Sequence, residues 1–237
     1  MVVSLYVRIQ SCGFFLPIEG KVEKFRARSF IPDRKSIKLM TRAVQLGVAA
    51  AGVALKEGEM WERVLPNRRG IFVSSSPCVD DHFDLQSALD VSYEEGKFSL
   101  ERFATKGFSL IHPLWLVRGL SNNILGFTSA MWDLQGENMN YCQGSVGGFH
   151  AFVQAARAIE ERRVACALVG GADVMTGAEA VVGRACAEGS MFFLLVPSDE
   201  PLKIDLDRVS QIEEDLPMLG SVGWLIAFYH YWRSLSS

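Results

Sequence analysis

An α/β fold, with a sheet layered between helices in the order β-α-β-α-β-α-β-β, is predicted by three observations. Short continuous apolar runs recur along the chain: GIFVS at 70–74, VACALV at 164–169 and MFFLLVP at 191–197. Runs of that length suit strands buried on both faces. Longer segments with apolar residues at three- and four-residue spacing lie between them, as helices require. Hydrophobic residues also make up 49% of the 237-residue chain, enough for a sizeable core.

Each element has its own justification. Residues 5–15 read as a first strand: the N-terminal stretch is apolar but alternating, with neither the basic start nor the hydrophobic block of a signal peptide. Residues 37–55 form a helix, with Ile37, Met40, Val44, Val48, Ala51 and Leu55 on one face and Gly58 just past its end. Residues 80–101 are polar and mixed, with helical spacing at Phe83, Leu85, Leu89 and Tyr93. Residues 113–134 make one or two helices, with Asn122 and Asn123 as the break. A strand at 138–142 leads into a helix at 146–162 that presents Phe149, Phe152, Val153, Ala156 and Ile159 on a broad apolar face. The strand at 164–169 ends at Gly170 and Gly171, expected as a turn. No internal repeat or low-complexity stretch interrupts this order.

Charge and cysteine usage narrow the function classes. Net charge is −3, with both signs spread along the chain, which argues against a nucleic-acid surface. Lys and Arg are dense only around Lys21 to Arg42, read as a solvated helix face. Five cysteines (Cys12, Cys78, Cys142, Cys166, Cys186) include no CxxC pair, and there are four histidines, so no metal site and no cofactor is expected. Cys142 and Cys166 lie in apolar runs and read as small buried hydrophobes; reduced thiols and a cytoplasmic location follow. Residues 216–232, LPMLGSVGWLIAFYHYW, carry no formal charge but fall short of the ~20 residues that span a bilayer. An apolar helical tail packed on a partner is favoured there over contact with a membrane surface.

The stretch 138–161, NMNYCQGSVGGFHAFVQAARAIEE, carries the candidate site. Ser145 stands between a strand and a helix opened by Gly147 and Gly148, which permit close backbone approach in the turn. The hydrolase pattern GxSxG fails, because Gln143 stands where the strained turn wants Gly. A triad also needs a base: His150 lies five residues along the same helix, and His230 is in the apolar tail. Ser145 further suits an N-cap of the helix that follows it.

The same stretch resembles the β-ketoacyl synthases of the thiolase superfamily, whose motif runs Gly-Pro-Asn, a strand, Thr-Ala-Cys-x-Ser-Gly and a helix. Laid without a gap from Gly136-Glu137-Asn138, the motif's Thr-Ala-Cys falls on Gln143-Gly144-Ser145 and its last Gly on Gly148. Further resemblances lie in the helix at 37–55, the strand at 69–75, the segment from His112-Pro113 to Asn122-Asn123, LVGGAD at 168–173 and EGSMFFLL at 188–195. Together they cover roughly residues 4–200, in the family's order.

The resemblance implies a layered thiolase-like half-domain over residues 1–200, with a linker and apolar segment at 201–237. It implies that Ser145 occupies the nucleophilic cysteine's position, with no catalytic residue expected; nothing matches the family's second half, with its two histidines and Gly-rich oxyanion element. It also implies a chain-length-factor-like subunit, similar to the short ones of aryl-polyene pathways of fatty acid or polyketide type. The partner would be an active β-ketoacyl-ACP synthase, and through it, indirectly, an acyl carrier protein. Asn138, Met139, Asn140, Tyr141, Cys142 and Gln143 would form the subunit interface; Leu85, Leu89, Tyr93 and Phe98 would wall the partner's acyl tunnel. The tail would cover the sheet face that a second half normally covers, or dock on the synthase. Two other readings stay open: a Ser145-dependent acyltransferase or esterase with a partner-supplied base, and a structural or membrane-associated scaffold.

Overall fold

The computed structural model describes residues 1–58, 61–76 and 83–235; Cys78 lies outside them. A five-stranded sheet in the order β1-β7-β6-β2-β5 organises the chain. β1 (Val2–Phe15) lies antiparallel to β7 (Glu188–Asp205), and β7 antiparallel to β6 (Cys166–Val174). From there the sheet is parallel: β6 pairs with β2 (Arg69–Ser75), and β2 with the edge strand β5 (Asn138–Tyr141). The five strands of this sheet come in the expected sequence order, and the parallel crossovers are made through helices.

Period-two alternation puts successive side chains on opposite faces. Ile71, Val73, Leu168, Phe192 and Leu194 join one core with Ala43, Val44, Leu46 and Val48 of α1 (Arg42–Glu57). Phe72, Ala167, Val169, Met191, Phe193 and Leu195 join the other with Phe152, Ala155, Ala156 and Ile159. Those helical residues belong to α6 (Val146–Glu160), which packs over β2 and β6.

Between β2 and β5 the chain forms α2 (Phe83–Asp90), a two-stranded ribbon β3 (Tyr93–Glu94) and β4 (Lys97–Phe98), and the short helices α3 (Leu100–Arg102) and α4 (Trp115–Arg118). α5 (Asn123–Trp132) follows the break expected at Asn122 and Asn123. Its Ile124 is fully buried against the α1 side. Tyr93, read as the end of a helical stripe, sits in the ribbon instead. Glu95 (φ 50°) and Gly96 (φ 76°) make the two-residue turn with both residues left-handed that closes a tight hairpin.

Three further expectations are corrected. Residues around Lys21 to Arg42 form no α-helix until α1 begins; short 3-10 turns at Ala27–Ser29 and Ser36–Leu39 lie there. Phe15, Phe25 and Phe30 pack together under that segment, with ring centroids 4.9 to 5.9 Å apart. Gly170 and Gly171 are not a turn; β6 runs straight through them. A Cβ on Gly170 would lie 2.3 Å from the Met191 carbonyl oxygen, and one on Gly171 2.3 Å from that of Ser74, so these glycines allow close strand approach. β7 also continues past Pro197 to Asp205, so the boundary expected at residue 200 falls inside a strand. The register against β1 shifts between Leu5 and Val7, where Pro197 meets Val7, and this irregularity accommodates a residue with no N–H to donate.

After the short α7 (Glu179–Val182) and β7, the C-terminal region forms α8 (Leu206–Asp215), a 3-10 turn at Gly220–Val222 and α9 (Gly223–Ser234). The apolar tail packs on the chain's own body. Trp224, Leu225, Ile226, Ala227, Phe228 and Tyr231 of α9 are buried in the α6-side core. The Phe228 ring sits 4.8 Å from Phe152, 5.5 Å from Phe193 and, stacked, 5.2 Å from Trp224. Among the described residues no helix is long and apolar enough to cross a membrane.

Phe228 is fully buried, so Phe228→Ala is expected to destabilise the protein by about 3–5 kcal/mol in urea unfolding. A loss under about 1 kcal/mol would show that α9 does not belong to the core.

Candidate functional site

The carboxyl ends of parallel strands are where open α/β sheets place their ligands. Here β2 ends at Ser74 and Ser75, β5 at Tyr141, and β6 runs out through Ala172 and Asp173. Ser74 and Ser75 are fully buried, and Asp173 is nearly so. Burial obliges each of these polar groups to find a partner, and most of the partners come from the C-terminal segment. The Ser74 hydroxyl donates to the Ser221 carbonyl at 2.8 Å, and the Ser221 N–H donates to Asp173 Oδ2 at 2.8 Å. Ser76 Oγ donates to the same carboxylate oxygen at 2.6 Å. Gly220 holds φ +55°, and a Cβ there would lie 2.2 Å from Asp173 Oδ2, so the turn needs glycine. Ser75 Oγ donates to the Ser121 carbonyl at 2.6 Å and contacts Asn140 Oδ1 at 2.9 Å, which ties β2 to β5.

Ser145 stands beside this cluster with helical backbone angles (φ −61°, ψ −36°) at the N-cap position of α6. Its side chain makes no cap bond to α6, contrary to expectation. The hydroxyl caps α9 instead, accepting the Trp224 N–H at 2.7 Å and donating to the Glu213 carboxylate of α8. The reason lies in the receiving helix: N–H groups in a first turn have no intrahelical acceptor, and Trp224 is the second residue of α9. The arrangement depends on two glycines. A Cβ on Gly223 would lie 2.9 Å from Ser145 Oγ, and one on Gly148 2.9 Å from Leu225 Cγ. Arg184 Nη2 closes the other side with a 2.8 Å bond to the Leu216 carbonyl. A cavity of about 230 Å3 remains against Ser145, Arg184 and Glu213.

Neither histidine weighed as a base bonds to Ser145. His150 Nδ1 lies 2.6 Å from Gln143 Oε1, and His230 is exposed on α9. Among the described residues no group of His, Cys, Asp and Glu is arranged to hold a metal ion.

The other residues singled out in the sequence fall in two places. Asn138, Met139, Asn140 and Tyr141 form the sheet edge; β5 pairs with β2 on one side, and no other described strand borders it. Met139 on this edge is 43% exposed. Cys142 and Gln143 follow, both exposed, which corrects the reading of Cys142 as buried: the strand ends at Tyr141. Asn140 Nδ2 contacts the Cys142 sulfur at 3.2 Å. Leu85 and Leu89 lie half-buried on α2, while Tyr93 and Phe98 face each other across the ribbon, ring centroids 5.8 Å apart and both exposed. Asp173, Ser74, Ser221 and Glu213 were not singled out as site residues. Asp173 alone had a signal, an acidic residue closing an apolar run.

The fold is that of a recognisable class. The family model for the N-terminal domain of β-ketoacyl synthases matches residues 11–192, and the chain belongs to that family. Three solved structures with the same fold are a type II polyketide synthase acyl-carrier protein in complex with its ketosynthase bound to the hexaketide (TM-score 0.66, 16% identity, 81% of this chain and 62% of that one), the ishigamide ketosynthase/chain length factor (0.61, 17%, 82% and 63%), and a ketosynthase in complex with its chain length factor from Xenorhabdus doucetiae (0.58, 14%, 83% and 59%). The chain thus spans about six tenths of the length of each, and identities this low establish a common thiolase-like fold. No curated protein sequence matches the chain.

Two outcomes follow from the site. Ser145→Ala strips partners from Trp224 N–H and Glu213, and is expected to cost about 1–3 kcal/mol in chemical denaturation; an unchanged midpoint would mean the hydroxyl holds nothing. Cysteine chemistry should divide by burial. Cys166 is buried, and burial pushes its thiol up to about 11, so little thiolate forms at pH 8.5. Iodoacetamide followed by peptide mass mapping should label exposed Cys142 and spare Cys166; equal labelling of the folded protein would contradict the placement.

Proposed function

We propose that this chain is a non-catalytic, chain-length-factor-like subunit that pairs with an active β-ketoacyl-ACP synthase and helps shape its acyl tunnel in fatty acid or polyketide synthesis, of aryl-polyene type. The observation that carries this reading is the commitment of Ser145. Acyl transfer needs a nucleophile with an adjacent base and an open approach. The Ser145 oxygen is held as the cap of α9 by the Trp224 N–H, it is a hydroxyl and not a thiol, and neither histidine bonds to it; the Glu213 carboxylate that takes its proton, with the adjoining cavity, is what the Ser145 acyltransferase reading would use. Two of the solved structures similar in fold are described as containing chain length factors, which supports the assignment.

In this reading Asn138, Met139, Asn140, Tyr141, Cys142 and Gln143 meet the partner. The unpaired side of β5 supplies ladder donors and acceptors, the means by which strand addition acquires affinity. Leu85, Leu89, Tyr93 and Phe98 contribute apolar surface toward the acyl chain, and the exposed Tyr93 and Phe98 have it to offer.

Co-expression with a ketosynthase encoded beside it, followed by size-exclusion chromatography and intact-mass analysis after exposure to an acyl thioester, tests the proposal. The expected result is a one-to-one complex with acyl mass on the synthase and none on this chain. An acyl adduct on Ser145 would make the chain an acyltransferase, and the absence of any complex would leave a scaffold role.

A further inference from the structure

The basic stretch from Lys21 to Arg42 belongs neither to the Ser145 site nor to the sheet edge. It holds eight of the chain's 24 basic residues and two of its 27 acidic ones, so the segment carries +6 and the remaining residues −9, against a total of −3. Because it is not a helix before α1, its charges are not spread round a solvated helical face. Ala27 and Ile31 anchor it in the α1-side core, and the rings of Phe15, Phe25 and Phe30 pack beneath it. The Ser29 N–H donates to the Arg26 carbonyl and the Ile31 N–H to that of Ala27, both at 2.9 Å, which fixes the turn. Arg26 and Arg28 flank the buried Ala27 and are themselves exposed.

A cleft of about 560 Å3 lies on this segment, lined by Arg26, Arg28 and Arg34 with Ser29, Ile37 and Gln45, and by no acidic residue. Among the described residues none of these three guanidinium groups is in an ion pair. Arg42 is not counted with them, since it is paired with Glu188 at 2.8 Å. The neighbouring Asp33 carboxylate is engaged locally, accepting from the Lys35 N–H at 3.0 Å and from the Ser36 hydroxyl. Three like charges round one cleft repel one another and gain from a counter-charge. Their planar forks suit carboxylate oxygens taken two at a time, and the packed phenylalanines hold the platform in place before anything binds. A long polyanion or a charged membrane surface would extend past the cleft and meet the rest of a chain that carries −9. A short acidic segment neutralises the arginines without meeting it.

We propose that this cleft docks an acidic segment of another protein, whose Asp and Glu carboxylates pair with Arg26, Arg28 and Arg34. The assignment is independent of the subunit reading, since it uses neither the sheet edge nor the residues assigned to the acyl tunnel.

Fluorescence anisotropy of a labelled oligoglutamate peptide, titrated with the full chain at low and at physiological ionic strength, tests it. Saturable one-to-one binding that weakens with salt is expected. Arg28→Glu and Arg34→Glu should each weaken it about tenfold or more, with the melting temperature unchanged because both side chains are exposed. Lys106→Glu, the same change of charge on an exposed residue outside the segment, should leave binding as it is. A labelled single-stranded oligonucleotide and phosphatidylserine vesicles should bind more weakly than the peptide. No saturable signal from the peptide, equal or tighter binding of the oligonucleotide or the vesicles, or a loss in Lys106→Glu as large as in the arginine variants would overturn the proposal.

Discussion

An α/β sheet has to bury both faces, and in this protein the second face is completed by the chain's own C-terminal helix. α1 and α5 cover one side. On the other, α6 leaves room that α9 fills, with Phe152, Phe193, Trp224 and Phe228 packed as one aromatic cluster. The approach of α9 to α6 is possible because Gly148 carries no side chain where Leu225 arrives. The position of the Gly220–Val222 turn, the bonds of Asp173 and Ser74, and the capping of α9 by Ser145 all follow from that contact.

The chemistry of the strand ends follows in turn. A serine at the start of a helix sits where a dipole and close backbone could favour a nucleophile. What decides the matter is whether its lone pairs and proton are available. Here the oxygen accepts the Trp224 N–H and the proton is shared with Glu213, while Ser74 and Asp173 bond to the C-terminal segment. The same arrangement turns buried Ser and Asp residues from a cost into anchors, because each meets a backbone or side-chain partner at hydrogen-bond distance.

How much of this was legible in the chain varies by element. The strand at 70–74 and the helix at 146–162 were visible, because their apolar patterns are set by burial in the layers; the helix expected at 37–55 exists but begins only at Arg42, with Ile37 in a 3-10 turn before it, and the strand expected at 138–142 ends at Tyr141. The C-terminal half of β7 was not visible, since Pro197 and the polar residues after it look like a strand's end; only pairing with β1 carries the strand on to Asp205. Gly170 and Gly171 look like a turn in one dimension, and only the proximity of the Met191 and Ser74 carbonyls shows why side chains are missing there. The Tyr93–Phe98 hairpin was masked by helical spacing, although Glu95-Gly96 is a tight-turn pair.

By itself, then, the sequence determined the class of fold, the order of its elements and the presence of Ser145 at a strand-to-helix junction, since these depend on local periodicity, turn residues and spacing. Tertiary structure decided what Ser145 does and where the apolar tail goes. Both depend on contacts between residues far apart in the chain, Ser145 with Glu213 and Trp224, and Gly148 with Leu225. No local pattern encodes which helix a hydroxyl will cap. That choice is made by packing, which brings one orphaned N–H within reach of one side-chain oxygen.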